Sequence, residues 1–144
     1  MIALLFSEIT PAALISDNGV YSVWNKPSGM FSQGTKWGDH TSITRWIEIF
    51  GCKKHKMQER PVFLVRRLDR ATSGIILVAH SKKMAAKLAK LFESREIEKC
   101  YQATVIGEFP EQLLLSDIVK PIDGKNAISR VLSSKYYPSK NQSD

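Results

Sequence analysis

The apolar residues of this chain fall into short runs separated by polar, glycine-rich stretches, with amphipathic segments between them. Val20-Tyr21-Ser22-Val23-Trp24 is β-branched and aromatic and predicts a strand. It ends at the turn sequence Lys26-Pro27-Ser28-Gly29, and the composition from Phe31 to His40 predicts a loop. Ile43, Trp46, Ile47 and Phe50 recur at helical spacing, so Thr41 to Phe50 predicts a helix, with Gly51 suited to its C-terminal cap. Cys52 to Arg60 reads as a polar, basic loop. Val62 to Val65 and Ile75 to Ala79 are continuous apolar runs of the kind found in buried strands. Ser81 can cap a second helix whose buried stripe is Met84, Leu88, Leu91 and Phe92. Ile97 to Ile106 alternates weakly and predicts a strand, as does Ala127 to Leu132. The mixture predicts an α/β or α+β fold with a mixed, mainly antiparallel sheet and flanking helices.

Composition sets the scale. A chain of 144 residues with 43% hydrophobic content can form one domain with a core. The formal charge is +7, from 21 Lys and Arg against 14 Asp and Glu, which favours a polyanionic partner through long-range attraction and counterion release. A generic basic binding domain meets that description too. Cys52 and Cys100 are too few for a disulfide framework and suggest reduced thiols in a cytoplasmic protein. Met1 to Phe6 is apolar but short, lacks a positive leader and runs into Glu8, and no apolar run approaches bilayer length. No membrane partner is therefore expected.

The chemistry concentrates in Phe63 to Val78. Two apolar segments flank Arg66-Arg67-Leu68-Asp69-Arg70 and the turn Thr72-Ser73-Gly74. A strand, polar loop, strand unit holds a side chain at a fixed place at a sheet edge. Positive charge beside Asp69 favours its ionised form and keeps a carboxylate available as base or nucleophile. A structural ion pair beside a turn is the plainer reading of the same residues.

Arg67-Leu68-Asp69, two further residues and Thr72-Ser73-Gly74 resemble the H-R-L-D-x-x-T-S-G signature of the RluA-type pseudouridine synthases. Asn25-Lys26-Pro27-Ser28-Gly29 is similar to that family's N-K-P-x-G turn. Lys99-Cys100-Tyr101-Gln102-Ala103-Thr104-Val105-Ile106-Gly107 is similar to its K-x-Y-x-A-x-V-x-G strand. Ile118, Pro121-Ile122 and Ala127-Ile128-Ser129 are similar to weaker family positions. Order and approximate spacing agree from about Leu14 to about Leu132. Arg66 replaces the family's usual His, which is not the reacting group. Nothing in the chain is similar to the family's later T-G-R-x-H-Q-I/L-R segment, which supplies a basic residue and further pocket walls. The resemblance therefore implies a pseudouridine synthase catalytic fold incomplete at its C-terminus, with residues 1–13 as a short leader, 14–132 as the partial catalytic domain and 133–144 as a polar tail without core content.

The resemblance implies an isomerase that converts uridine to pseudouridine in structured RNA, transfer or ribosomal, with Asp69 as the reacting carboxylate and no metal or organic cofactor. Asp69 can attack the sugar or the base, or remove a ribose proton so that a glycal forms. Alternation along an extended chain puts Arg67 on the same side as Asp69. There Arg67 can keep the carboxylate ionised, contact the target phosphate, or fill the space of a flipped base. Tyr101 can stack on an extruded uracil. Arg66, Arg70, Thr72, Ser73 and Gly74 are expected to support the loop, Gly74 through its backbone freedom or by allowing a close approach. A truncated or non-catalytic RNA-binding fragment of the same fold is the rival reading.

Other signals are weaker. Cys52 and His55 have a ligand-like gap but no second pair at zinc spacing. His40 and His80 have no Ser or Cys arrangement that suggests a triad, and Gly34-Thr35-Lys36 lacks the full phosphate-loop spacing. Lys83, Lys87 and Lys90 share a helix face that is either solvated or a phosphate-contacting ridge.

Overall fold

Ser22, Trp24 and Lys26 alternate along one strand, and all three are fully buried. Two of the three are polar, and the fold is organised around how their polar atoms are satisfied. The computed structural model describes residues 10–34 and 41–144. The first nine residues of the expected leader, and the stretch 35–40 that includes Thr35, Lys36 and His40, lie outside the described residues. The chain forms two compact units, Met1–Glu98 and Lys99–Asp144.

The first unit holds a four-stranded antiparallel sheet in the order β1 (Ala13–Asp17), β2 (Tyr21–Lys26), β4 (Gly74–Ala79), β3 (Phe63–Leu64). Register pairs Trp24 with Ile76, Ser22 with Val78 and Lys26 with Gly74, so one face of β2 and β4 presents Ser22, Trp24, Ile76 and Val78 together. That face packs against α1 (Ile43–Trp46), a π-helical turn (Ile47–Gly51) and α2 (Cys52–Lys54). Ile43, Trp46, Ile47 and Cys52 close the core, with the Trp24 and Trp46 rings edge to face at 5.9 Å. Ser42 caps α1 by accepting from the Arg45 amide at 3.3 Å.

The helix does not stop at Gly51. Gly51 has helical φ of −60°, and a Cβ built there would meet Trp24 Cη2 and Trp46 Cζ3 at 3.1 Å. Its role is close packing between two indoles, and the expected loop from Cys52 begins as helix up to Lys54. A π-turn inserts one extra residue into the helical repeat.

The polar side-chain atoms of Ser22, Trp24 and Lys26 are paired. Trp24 Nε1 donates to Ser22 Oγ at 2.8 Å, and Ser22 Oγ lies 2.9 Å from His80 Nε2. His80 Nδ1 lies 2.9 Å from the Pro61 carbonyl, which only accepts. The proton of neutral His80 therefore sits on Nδ1, and Nε2 accepts from the serine. Burial lowers the His80 pKa below the ordinary value, an effect only partly opposed by the Pro61 bond.

Across the sheet, α3 (Lys82–Glu93) packs on β4 and β3. Ser81 caps it, accepting from the Met84 amide at 3.1 Å. Leu88 is buried, Met84, Leu91 and Phe92 are half-buried, and Lys83, Lys87 and Lys90 are exposed.

The second unit contains two small antiparallel sheets. One has the order β5 (Val105–Ile106), β9 (Gln142–Ser143), β8 (Tyr136–Tyr137); the other pairs β6 (Asp117–Val119) with β7 (Ile128–Arg130). Arg130 and Asp117 form an ion pair across β6 and β7. The strand expected over Ile97 to Ile106 is reduced to Val105–Ile106, and Ile97 to Thr104 have no ladder partner. The last predicted strand survives as Ile128–Arg130. Residues 133–144 are polar, yet they supply β8 and β9. Ser143 is buried, donates to the Gly107 carbonyl at 2.7 Å and accepts from the Phe109 amide at 3.1 Å.

Candidate active site

The β3–β4 connection is where the chemistry expected from the sequence collects. Its ladder bonds end at Val65, whose amide donates to Leu77 O at 3.3 Å. From Arg66 to Ser73 the chain has no strand partner, so its shape depends on other donors and acceptors. Most come from the turn after β2. Gly29 N donates to Arg70 O at 2.8 Å, Arg70 Nε donates to Gly29 O at 3.0 Å, and Ser28 Oγ donates to Ala71 O at 2.8 Å. The Thr72 amide closes a turn on Asp69 O at 3.1 Å.

Lys26 lies beneath this contact. Its Nζ donates to Met30 O at 2.8 Å, Pro27 O at 3.0 Å and Arg70 O at 3.4 Å. Three carbonyl dipoles converge on one buried ammonium, which is how a buried charge is made tolerable. Burial lowers its pKa, and the negative charge of Asp69 opposes that shift. The Lys-Pro-Ser-Gly turn is thus fastened to the loop that carries Asp69.

A cavity of about 750 Å³ opens over this loop, lined by Phe31, Ser32, Gln33, Gly34, Val65, Arg66, Arg67, Leu68, Asp69 and Arg70. Its size is in the range of small-molecule sites. Asp69 and Arg67 are exposed in it. Among the described residues no ion pair joins Asp69 to Arg66, Arg67 or Arg70, so the structural ion pair does not explain this cluster. Arg70 lies 4.9 Å over the Phe31 ring and Arg66 5.6 Å over Phe92. Both outer arginines lie over aromatic faces, and among the described residues Asp69 has no ion-pair partner.

Of the expected loop supports, Gly74 acts through conformation. Its φ is +127° and nothing lies within 4 Å of where a Cβ would stand, so close approach is not the reason for glycine. Among the described residues the hydroxyls that support the loop are Ser28 and Ser32, rather than those of Thr72 and Ser73. Ser32 carries no local signal in the sequence, since its partner is 36 residues away.

Tyr101 belongs to the second unit, outside any ladder, with 66% of its surface exposed. Lys99 is exposed there too. His55 packs edge to face on Trp24 at 5.3 Å, and Cys52 is buried, which raises its thiol pKa. Among the described residues no three His, Cys, Asp or Glu side chains are grouped to hold a metal ion. No helix among them is long and apolar enough to cross a membrane.

The antiparallel sheet of the first unit thus presents one exposed carboxylate, Asp69, from an arginine-rich connection that lines a cavity. The chain matches the RNA pseudouridylate synthase family over residues 20–143 and belongs to that family. It is 32% identical over 120 residues to an uncharacterized RNA pseudouridine synthase of Mycoplasma pneumoniae, covering 82% of this chain and 36% of that protein. It is 30% identical over 125 residues to the mitochondrial tRNA pseudouridine(32) synthase of Saccharomyces cerevisiae, covering 84% and 25%. The solved structure of human RNA pseudouridylate synthase domain containing 4 superposes with a TM-score of 0.60 at 25% identity, covering 90% of this chain and 51% of that one. The chain thus spans about a quarter to about a third of the length of these two relatives.

Proposed function

We propose that the protein isomerises uridine to pseudouridine in structured RNA, with Asp69 as the reacting carboxylate. The observation that carries this reading is the position of Asp69. It is exposed in a basic cavity, free of ion pairs to its neighbouring arginines, on a loop held from both sides. Family membership supplies the reaction class. The C1′–N1 bond of the target uridine breaks, the base turns, and C1′ joins C5. The hydrogen on C5 leaves as a proton and N1 gains one, so the reaction needs no external oxidant or reductant. Asp69 serves this as nucleophile or as base. Arg67, exposed beside it, is suited to a phosphate or to the space left by a flipped base.

Transfer or ribosomal RNA is the substrate class we favour, since a charge of +7 and an arginine-lined cavity suit a polyanion, and one relative is named for action on tRNA. We place the protein in the cytoplasm, a compartment that keeps thiols such as Cys52 and Cys100 reduced. The test is tritium release from 5-labelled uridine in RNA by the protein and by Asp69→Asn. The Asn variant should release none while still binding RNA. Near-normal release would remove Asp69 from the reaction, and RNA binding without release by either protein would favour a non-catalytic binding role.

A further inference from the structure

We propose that Ser32 is a positioning residue for Asp69, a role that rests on the proposed pseudouridine chemistry. Ser32 is only 5% exposed and lines the same cavity as Asp69. Its Oγ accepts from the Leu68 amide at 2.9 Å and donates to the Leu68 carbonyl at 2.5 Å. One hydroxyl therefore satisfies both main-chain groups of the residue immediately before Asp69.

The geometry of the peptide unit gives this pair of bonds its consequence. The Leu68 amide lies in the plane that contains the Arg67 Cα, and the Leu68 carbonyl lies in the plane that contains the Asp69 Cα. Holding both planes fixes where the side chains of Arg67 and Asp69 leave the main chain. One bond would leave rotation about the other plane free. Leu68 has no strand partner, because the β3–β4 ladder ends at Val65, so Ser32 stands in for the missing neighbour. On the far side of Asp69 the Arg70 carbonyl is held by Gly29 and Lys26, which leaves the bracket incomplete without Ser32. Reacting groups lose about 100-fold in rate when displaced by about 1 Å, so a residue that touches no substrate can still govern the chemical step.

The test measures single-turnover tritium release at saturating protein, RNA affinity, and amide hydrogen exchange in the wild type, Ser32→Ala and Ser32→Thr. Ser32→Ala should lose about 100-fold in the single-turnover rate, with RNA affinity within about twofold of wild type. Ser32→Thr keeps the hydroxyl and should retain most of the rate. In the wild type the Leu68 amide should exchange slowly although it lies outside any ladder, and the Ala variant should lose that protection. A wild-type single-turnover rate in Ser32→Ala, or a loss confined to RNA affinity or melting temperature, would overturn the proposal. If Ser32→Ala does not fold, fast exchange of the wild-type Leu68 amide overturns it and slow exchange upholds the clamp. If the wild type itself releases no tritium, the proposed function fails separately, and the exchange measurement still decides whether Ser32 holds the loop.

Discussion

Lys26 Nζ donates to the main-chain carbonyl of Arg70 at 3.4 Å from a fully buried position, and thereby ties the end of β2 to the residue after Asp69. The partner of Lys26 in the β2–β4 register is Gly74, the last residue of the Thr-Ser-Gly turn. Two sequence motifs more than forty residues apart are therefore one structural object, with the lysine beneath and the carboxylate on top. The same ammonium serves Met30 O and Pro27 O, so the turn and the loop share a single positive centre.

Lys26→Met should destabilise the protein and slow the proposed reaction together. Methionine fills much of the volume but leaves the carbonyls of Pro27 and Met30 short of a donor, while the Arg70 carbonyl keeps the Gly29 amide. An unsatisfied buried acceptor costs about 1–3 kcal/mol, so the urea midpoint should fall with little change in slope. An unchanged midpoint would mean that water replaces the ammonium without loss.

Gly51→Ala should also destabilise, against the trend for helical positions. Alanine gains up to about 1 kcal/mol in intrinsic helix preference over glycine. Here its Cβ would stand 3.1 Å from both the Trp24 and Trp46 rings. Overpacking in a filled core costs about 1–3 kcal/mol and should prevail. Thermal melts of the two proteins decide it, and a stabilised variant would show that the indoles can separate.

These two residues also mark what the sequence disclosed and what it hid. The apolar runs placed β2, β3 and β4, and Ser81 placed the start of α3, because periodicity and capping are local signals. Gly51 before a basic stretch has the local signature of a helix end, whereas its neighbour Trp24 is distant in sequence and invisible to that reading. Ile97 to Thr104 has the composition of a strand, but a strand exists only where a partner backbone meets it, and composition cannot supply one. In the loop, Asp69, Arg67 and Thr72-Ser73-Gly74 were legible from their resemblance to a family signature. Ser32 was not, since a serine in a polar loop looks the same whether it clamps Leu68 or faces water.

Acid should weaken the fold through His80. Burial lowers its folded-state pKa, with Arg60 pushing the same way and Asp17 and the Pro61 bond opposing. The unfolded chain, with a histidine near its ordinary value of about 6.5, then binds more protons than the native state below that pH. Stability rises with pH in that window, is fully present above it, and is lost as pH falls toward the depressed folded value. His55, whose pKa burial and then Lys54 also lower, adds to the same slope. His80→Gln should flatten the dependence of melting temperature on pH between about 7.5 and 5, with His55 accounting for what remains. An identical slope in the variant would show that His80 protonates without disturbing Ser22 and Trp24.

Tyr101→Phe should affect pseudouridine formation less than Tyr101→Ala. The side chain is 66% exposed and outside any ladder, so neither core packing nor strand pairing accounts for an aromatic residue there. Its place in the sequence matches the tyrosine of the family's K-x-Y-x-A-x-V-x-G pattern, and an exposed ring offers a flat apolar face to an unstacked base. Phenylalanine keeps that face and loses only the hydroxyl, whereas alanine loses both. Stacking on an aromatic side chain is worth about 1–3 kcal/mol per base, which corresponds to about 5-fold to 150-fold in the rate at limiting RNA. The measurement is tritium release from 5-labelled uridine by the three proteins side by side, with melting temperatures as a control for folding. Because the ring is mostly in solvent, both variants should melt close to the wild type. Equal losses in Phe and Ala would assign the role to the hydroxyl, and the stacking account of Tyr101 would be wrong.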